Sequence, residues 1–63
     1  MLPYQQRVID EKHALDEKLG QLLGFFQSED CSALTEAEKS WLRNQARFMD
    51  GYSAVLAERI AAF

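Results

Sequence analysis

Gln27-Ser28-Glu29-Asp30-Cys31-Ser32-Ala33-Leu34, followed by Thr35-Glu36-Ala37-Glu38, decides how this chain folds. The first eight residues have no hydrophobic period and are rich in turn formers, so they read as a connection. The next four read as a capping box that opens a helix: the Thr35 hydroxyl can accept from the Glu38 backbone N–H, while the Glu38 side chain reaches back. Upstream, Val8, Leu15, Leu19, Leu22 and Phe26 recur in alternating steps of three and four, with Lys12 at the one gap. Pro3 suits the first position of that helix, where a missing N–H costs nothing. Downstream, Leu42, Met49, Leu56 and Phe63 form a seam seven apart. The reading is a single domain over 1–63, with a helix over about 4–27, a turn over 28–34 and a helix over about 35–61. The first helix would be about 36 Å long at 1.5 Å per residue.

A short connection between two long amphipathic helices makes them antiparallel neighbours. The expected fold class is therefore all-α, an antiparallel two-helix hairpin. With the reversal near Asp30, Leu22 falls opposite Leu42, Leu15 opposite Met49 and Val8 opposite Leu56, and Lys12 lies near Tyr52. The two faces do not match in width. The first helix carries one narrow apolar stripe, whereas the second adds Trp41, Phe48 and Val55 beside its seam. Aromatic side chains bury about 150–250 Å² each when packed, and one narrow helix cannot cover both sets. Chains of about 60 residues are marginal alone. The expectation is a homo-oligomer built through the second helix, with Trp41, Phe48, Val55 and Met49 at its interface. The alternative is a monomer in which Trp41 and Phe48 fold over the edge. Gly20 and Gly24, four apart in the first helix, point away from the seam. They either admit the close approach of another backbone or a flat ligand, or are simply tolerated near a helix end.

Charge and cysteine content exclude several classes. The chain has 7 Lys+Arg against 10 Asp+Glu, a formal net charge of −3, which gives no electrostatic footprint for non-specific nucleic-acid binding. The longest near-apolar run, Leu22 to Phe26, is far short of the roughly 20 residues that span a bilayer, and no signal-peptide pattern opens the chain. Its one cysteine, Cys31, cannot close an internal disulfide, so the expected compartment is the cytoplasm. Catalysis looks poorly supported. His13 and Cys31 are far apart in sequence, with no Ser-His-Asp or Cys-His set. Glu29 and Asp30 beside Cys31 disfavour a thiolate. No metal-ligand spacing is present, and no cofactor is expected. Asp10, Glu11, Asp16 and Glu17 read as a solvated acidic face.

The basic residues carry more chemistry. Lys39, Arg43 and Arg47 are spaced four apart, and guanidinium groups suit bidentate phosphate contacts. Lys12, Tyr52 and Arg59 lie on or beside the seam, with Tyr4 and Arg7 expected near Arg59 across the hairpin. An aromatic ring with Lys or Arg can stack a base and hold a phosphate. The candidate ligand-binding residues are therefore Tyr4, Arg7, Lys12, Tyr52, Arg59, Arg43 and Arg47. For each, the competing reading is an ordinary solvated or edge-exposed side chain.

The opening Leu2-Pro3-Tyr4-Gln5-Gln6-Arg7-Val8-Ile9-Asp10-Glu11-Lys12, the Leu15-Asp16-Glu17-Lys18-Leu19 after it and the closing stretch Tyr52 to Phe63 resemble a family of short phage proteins named after a gene product of a crAss-like phage. That resemblance covers nearly the whole chain. It implies a phage or prophage origin and a small accessory protein, and supplies no functional residues. At the level of architecture the chain is also similar to phage anti-CBASS and anti-Thoeris sponges, small helical oligomers that sequester host nucleotide signals at subunit junctions. Two functions stay open at this point. One is a non-catalytic sponge for a cyclic-nucleotide signal. The other is an inhibitor that docks the Trp41–Phe48–Val55 face onto a host defence or regulatory protein.

Overall fold

A computed structural model describes all residues, Met1–Phe63. The chain is all-α, with no strand. Helix α1 spans Pro3–Phe25, a single turn α2 spans Glu29–Ser32 and α3 spans Glu36–Ala61. Helix α1 opens with Pro3 at its first position, and the Gln5 side-chain carbonyl accepts from the Leu2 backbone N–H at 2.9 Å. Helix α3 opens as its sequence suggests, with the Glu38 N–H donating to the Thr35 hydroxyl at 3.1 Å. The return half of the expected capping box differs. The Thr35 hydroxyl itself donates to the Glu38 carboxylate at 3.1 Å, so this side chain does not reach the backbone.

The connection is more ordered than its aperiodic sequence suggests. Ser28 organises it: its hydroxyl donates to the Phe25 carbonyl at 2.6 Å, closing α1, and accepts from the Cys31 N–H at 3.3 Å, opening α2. Phe26 and Gln27, placed in the first helix by periodicity, lie just beyond its end. Cys31 is buried.

Helices α1 and α3 pack along each other. Tyr4 and Phe63 meet edge to face, with ring centroids 5.9 Å apart, and the Ser53 hydroxyl donates to Asp16. The helices therefore run in opposite senses. At the turn end Leu22 and Leu42 line one hollow, as the reversal near Asp30 implies, but further along the helices the register differs from the expected one. Asp16 faces Ser53, Ile9 lies beside Ile60, and Lys12 lies with Ile9, His13 and Ile60, away from Tyr52. The shift is about one helical turn. Helix α2 sits alongside Lys39 and Arg43 at the turn end.

The seam alternates large and small residues. Val8 and Leu19 of α1 are buried against Ala46, Ser53 and Leu56 of α3, with Leu56 fully enclosed. Ala46 and Ser53 were not among the expected seam residues, because neither is strongly apolar. Their small side chains let the helices approach between the larger positions. Only 6 of 63 residues are buried, and the molecule measures 46 × 15 × 13 Å. Its accessible surface is 4716 Å², against about 4,100 Å² for a compact monomer of this mass. The excess is surface that a two-helix seam cannot cover. No helix is long and apolar enough to cross a membrane.

A polar tie crosses the seam. Asp16 accepts from Lys12 at 2.6 Å and from Ser53 on α3. These hydrogen bonds, Lys12 first and then Ser53, hold the Asp16 carboxyl below the ordinary value of 3.8. Because the folded value is depressed, the tie stabilises the fold fully above that ordinary value and is lost as pH falls through the folded one. Asp16 is half-exposed, so the effect is modest and salt-sensitive. In acid titrations followed by circular dichroism, the stability advantage of wild type over Asp16→Asn is expected to hold at neutral pH. It should shrink progressively below about pH 3.8.

A Cβ built at Gly20 or Gly24 meets nothing within 4 Å. Gly20→Ala and Gly24→Ala should therefore each stabilise the chain in urea melts by about 0.5–1 kcal/mol through helix propensity. Leu56→Ala should destabilise it by about 2–5 kcal/mol.

Candidate functional site

The candidate ligand residues divide between two edges of the helical pair. At about 100° per residue, Tyr4 and Arg7 of α1 fall on the same edge as Trp41, Phe48, Tyr52 and Arg59 of α3. The contact of Tyr4 with Phe63 fixes that correspondence at the end where the chain termini meet. Tyr4 and Tyr52 are 48% and 46% exposed, so each offers a ring face to solvent. Arg7 and Arg59 have no carboxylate within ion-pair distance, since the ion pairs of the molecule are Lys12–Asp16 and Lys39–Glu36. Arg59 also lies in the last turn of α3, where the helix dipole favours a cation.

The other three candidates sit elsewhere. Lys12 is engaged by Asp16 on the opposite edge, so its charge is already partnered. The Arg47 guanidinium lies over the Phe48 ring, 5.0 Å from its centroid, on the outer face of α3. Arg43 lines a pocket at the turn end with Ser28, Ser32 and Lys39. Arg43 and Arg59 are sixteen positions apart on α3, about 24 Å along its axis. A single guanidinium–phosphate contact cannot span that separation, so the seven residues do not form one site within one chain.

Between these groups runs an apolar groove. Trp41 and Phe48 are each 67% exposed, and with Met49 and Tyr52 they line a depression of about 460 Å³. Neither Trp41 nor Phe48 folds over the edge, which removes the monomeric packing considered from sequence. A second hollow joins Trp41 to Leu22, Phe25 and Leu34. Val55 is 54% exposed and continues the stripe.

Sequence reasoning missed three contributors. Phe63 serves as the ring partner of Tyr4, whereas its heptad spacing had placed it in the seam. Phe26 and Gln27 line the Arg43 pocket because α1 ends before them. The Phe25-Phe26 doublet followed by Gln27-Ser28 was the available signal for an early end to the helix.

Chemically, the molecule offers exposed rings, unpaired guanidinium groups and an apolar groove, a kit for binding. The Ser53 hydroxyl is buried and donates to the Asp16 carboxylate, and His13 lines a hollow with Asp16. No three His, Cys, Asp or Glu side chains lie close enough together to hold a metal ion.

No curated protein and no solved structure gives a significant match to the chain. A family model described as Sequestin matches residues 2–62, all but the first and last positions. The chain belongs to the Sequestin family.

Proposed function

We propose that this chain is a non-catalytic phage counter-defence protein. It is an oligomeric helical hairpin that sequesters a host immune signal of cyclic-nucleotide type. The observation that carries this reading is the edge holding Tyr4, Arg7, Tyr52 and Arg59, where exposed rings stand on the same side as guanidinium groups without acidic partners. Rings stack a base and guanidinium groups hold phosphates. The family name, which denotes sequestration, supports binding as the activity. Sequestration needs only affinity and abundance, which suits a chain this small.

The same edge of the molecule supports oligomerisation through α3. Trp41, Phe48 and Val55 form a continuous exposed stripe with Met49 beside it. A stable interface buries about 800 Å² per partner, and aromatic anchors dominate its energy. Two or more copies packed by this stripe would bring the Tyr52–Arg59 edges of different chains together. The ligand would then lie at a subunit junction in the host cytoplasm. The same stripe favours a second reading, in which it docks onto a host defence or regulatory protein.

Two measurements test these readings. A thermal-shift panel of cyclic di- and trinucleotides should contain one class that stabilises the protein. At 100 times its Kd a ligand contributes about 2.7 kcal/mol, several degrees for a domain this small. Arg59→Ala and Tyr52→Ala should abolish that shift, and Arg59→Ala should do so without changing the sedimentation mass. A flat panel at millimolar ligand would sink the sponge reading. In sedimentation equilibrium, the wild type should exceed the 7.2 kDa of one chain, and Trp41→Asp with Phe48→Asp should return it to that mass. A wild type already at monomer mass would transfer the stripe to a foreign partner.

A further inference from the structure

The turn end of the molecule carries a second cluster of donors. A pocket of about 470 Å³ lies between α2 and the first turns of α3, lined by Phe26, Gln27, Ser28, Ser32, Lys39 and Arg43. In a chain of net charge −3 with 10 acidic residues, this pocket has two cations and no carboxylate in its wall. Arg43 makes no ion pair. Lys39 meets only Glu36, at 3.5 Å, long for a charge-assisted hydrogen bond. The Glu36 side chain is 86% exposed, while that of Lys39 is 24% exposed and held against the protein. The carboxylate can therefore move into water without disturbing the ammonium.

The two hydroxyls narrow the chemistry of an occupant. Ser28 donates its proton to the Phe25 carbonyl and Ser32 donates its own to the Glu29 carbonyl, each at 2.6 Å. Both protons are committed to closing α1 and α2. The donors left for a ligand are the five N–H groups of Arg43, the ammonium of Lys39 and the Gln27 amide. Such a set calls for a compact anion that only accepts hydrogen bonds and presents several oxygens. A carboxylate offers two. A phosphoryl group offers three terminal oxygens and up to two charges, matching a guanidinium fork plus an ammonium.

We propose that this pocket binds a phosphoryl group, with Arg43 and Lys39 supplying the charge and Gln27 a further donor. The pocket is larger than orthophosphate, and Phe26 gives it an apolar wall for an organic substituent. The site is separate from the Tyr52–Arg59 edge, with Arg43 about 24 Å from Arg59 along α3, and holds whether or not that edge binds a nucleotide.

The test is titration of the full-length, ¹⁵N-labelled protein with orthophosphate and with adenosine monophosphate at constant ionic strength, followed by amide chemical shifts. The expected result is a saturable change at residues 26–32 and 39–43. Arg43→Gln and Lys39→Gln should each weaken it by about tenfold or more, whereas Lys18→Gln, the same loss of charge on the exposed surface of α1, leaves it unchanged. Equal affinities for the two probes would assign free phosphate as sufficient, and tighter binding of the nucleotide would assign a phosphate ester. The absence of saturable change with both probes, or an equal loss in Lys18→Gln, would overturn the proposal.

Discussion

Two helices share only one seam, and this constraint governs the molecule. Val8, Leu19, Ala46, Ser53 and Leu56 form its closed part, and Cys31 is the one further buried residue, at the turn. A third long helix would cover the flanks of α3, but α2 is a single turn at one end. The area left uncovered is where Trp41, Phe48, Tyr52 and Val55 stand. Surface that a larger domain would hide is thus left open, and the thinness of the core and the breadth of the exposed apolar face are the same fact.

The Asp16–Lys12–Ser53 tie has a particular place in that arrangement. An apolar seam of alternating large and small residues tolerates slippage by a turn, because one methyl group packs much like another. A carboxylate that accepts from a lysine of its own helix and a serine of the facing one is satisfied at one register only. Being half-exposed, it adds little stability. Its contribution is to specify where Tyr4 meets Phe63 and which residues of α1 accompany Tyr52 and Arg59.

Much of the fold was legible because it rests on period. The spacing of Val8, Leu15, Leu19 and Leu22, Pro3 at a helix start and Thr35 at another are local signals, and the helices follow them. The register was not legible, since it depends on whether residues 29–32 coil, and a four-residue helix held by the Ser28 hydroxyl leaves no periodic trace. Ala46 and Ser53 were passed over for a related reason: hydropathy scores affinity for a core, whereas these positions are chosen for size. The candidate site was legible as residue types. Its division into separate groups was not, because edge membership follows from the angle around α3 and from the shifted register. Lys12 shows this well. It was placed near Tyr52 by counting and is instead engaged by Asp16 on the other edge.

Cys31 gives the turn a clock of its own. It is the single thiol of the chain and is buried, though it also borders the pocket at the turn end. Reaction of a thiol with a soluble reagent requires exposure, so its rate reports how often α2 unwinds, independently of the parting of the long helices. An occupant of the pocket would slow that clock while leaving exchange along the seam as it was. One native atom thus separates local opening from global unfolding in a molecule too small to carry a second reporter without disturbance.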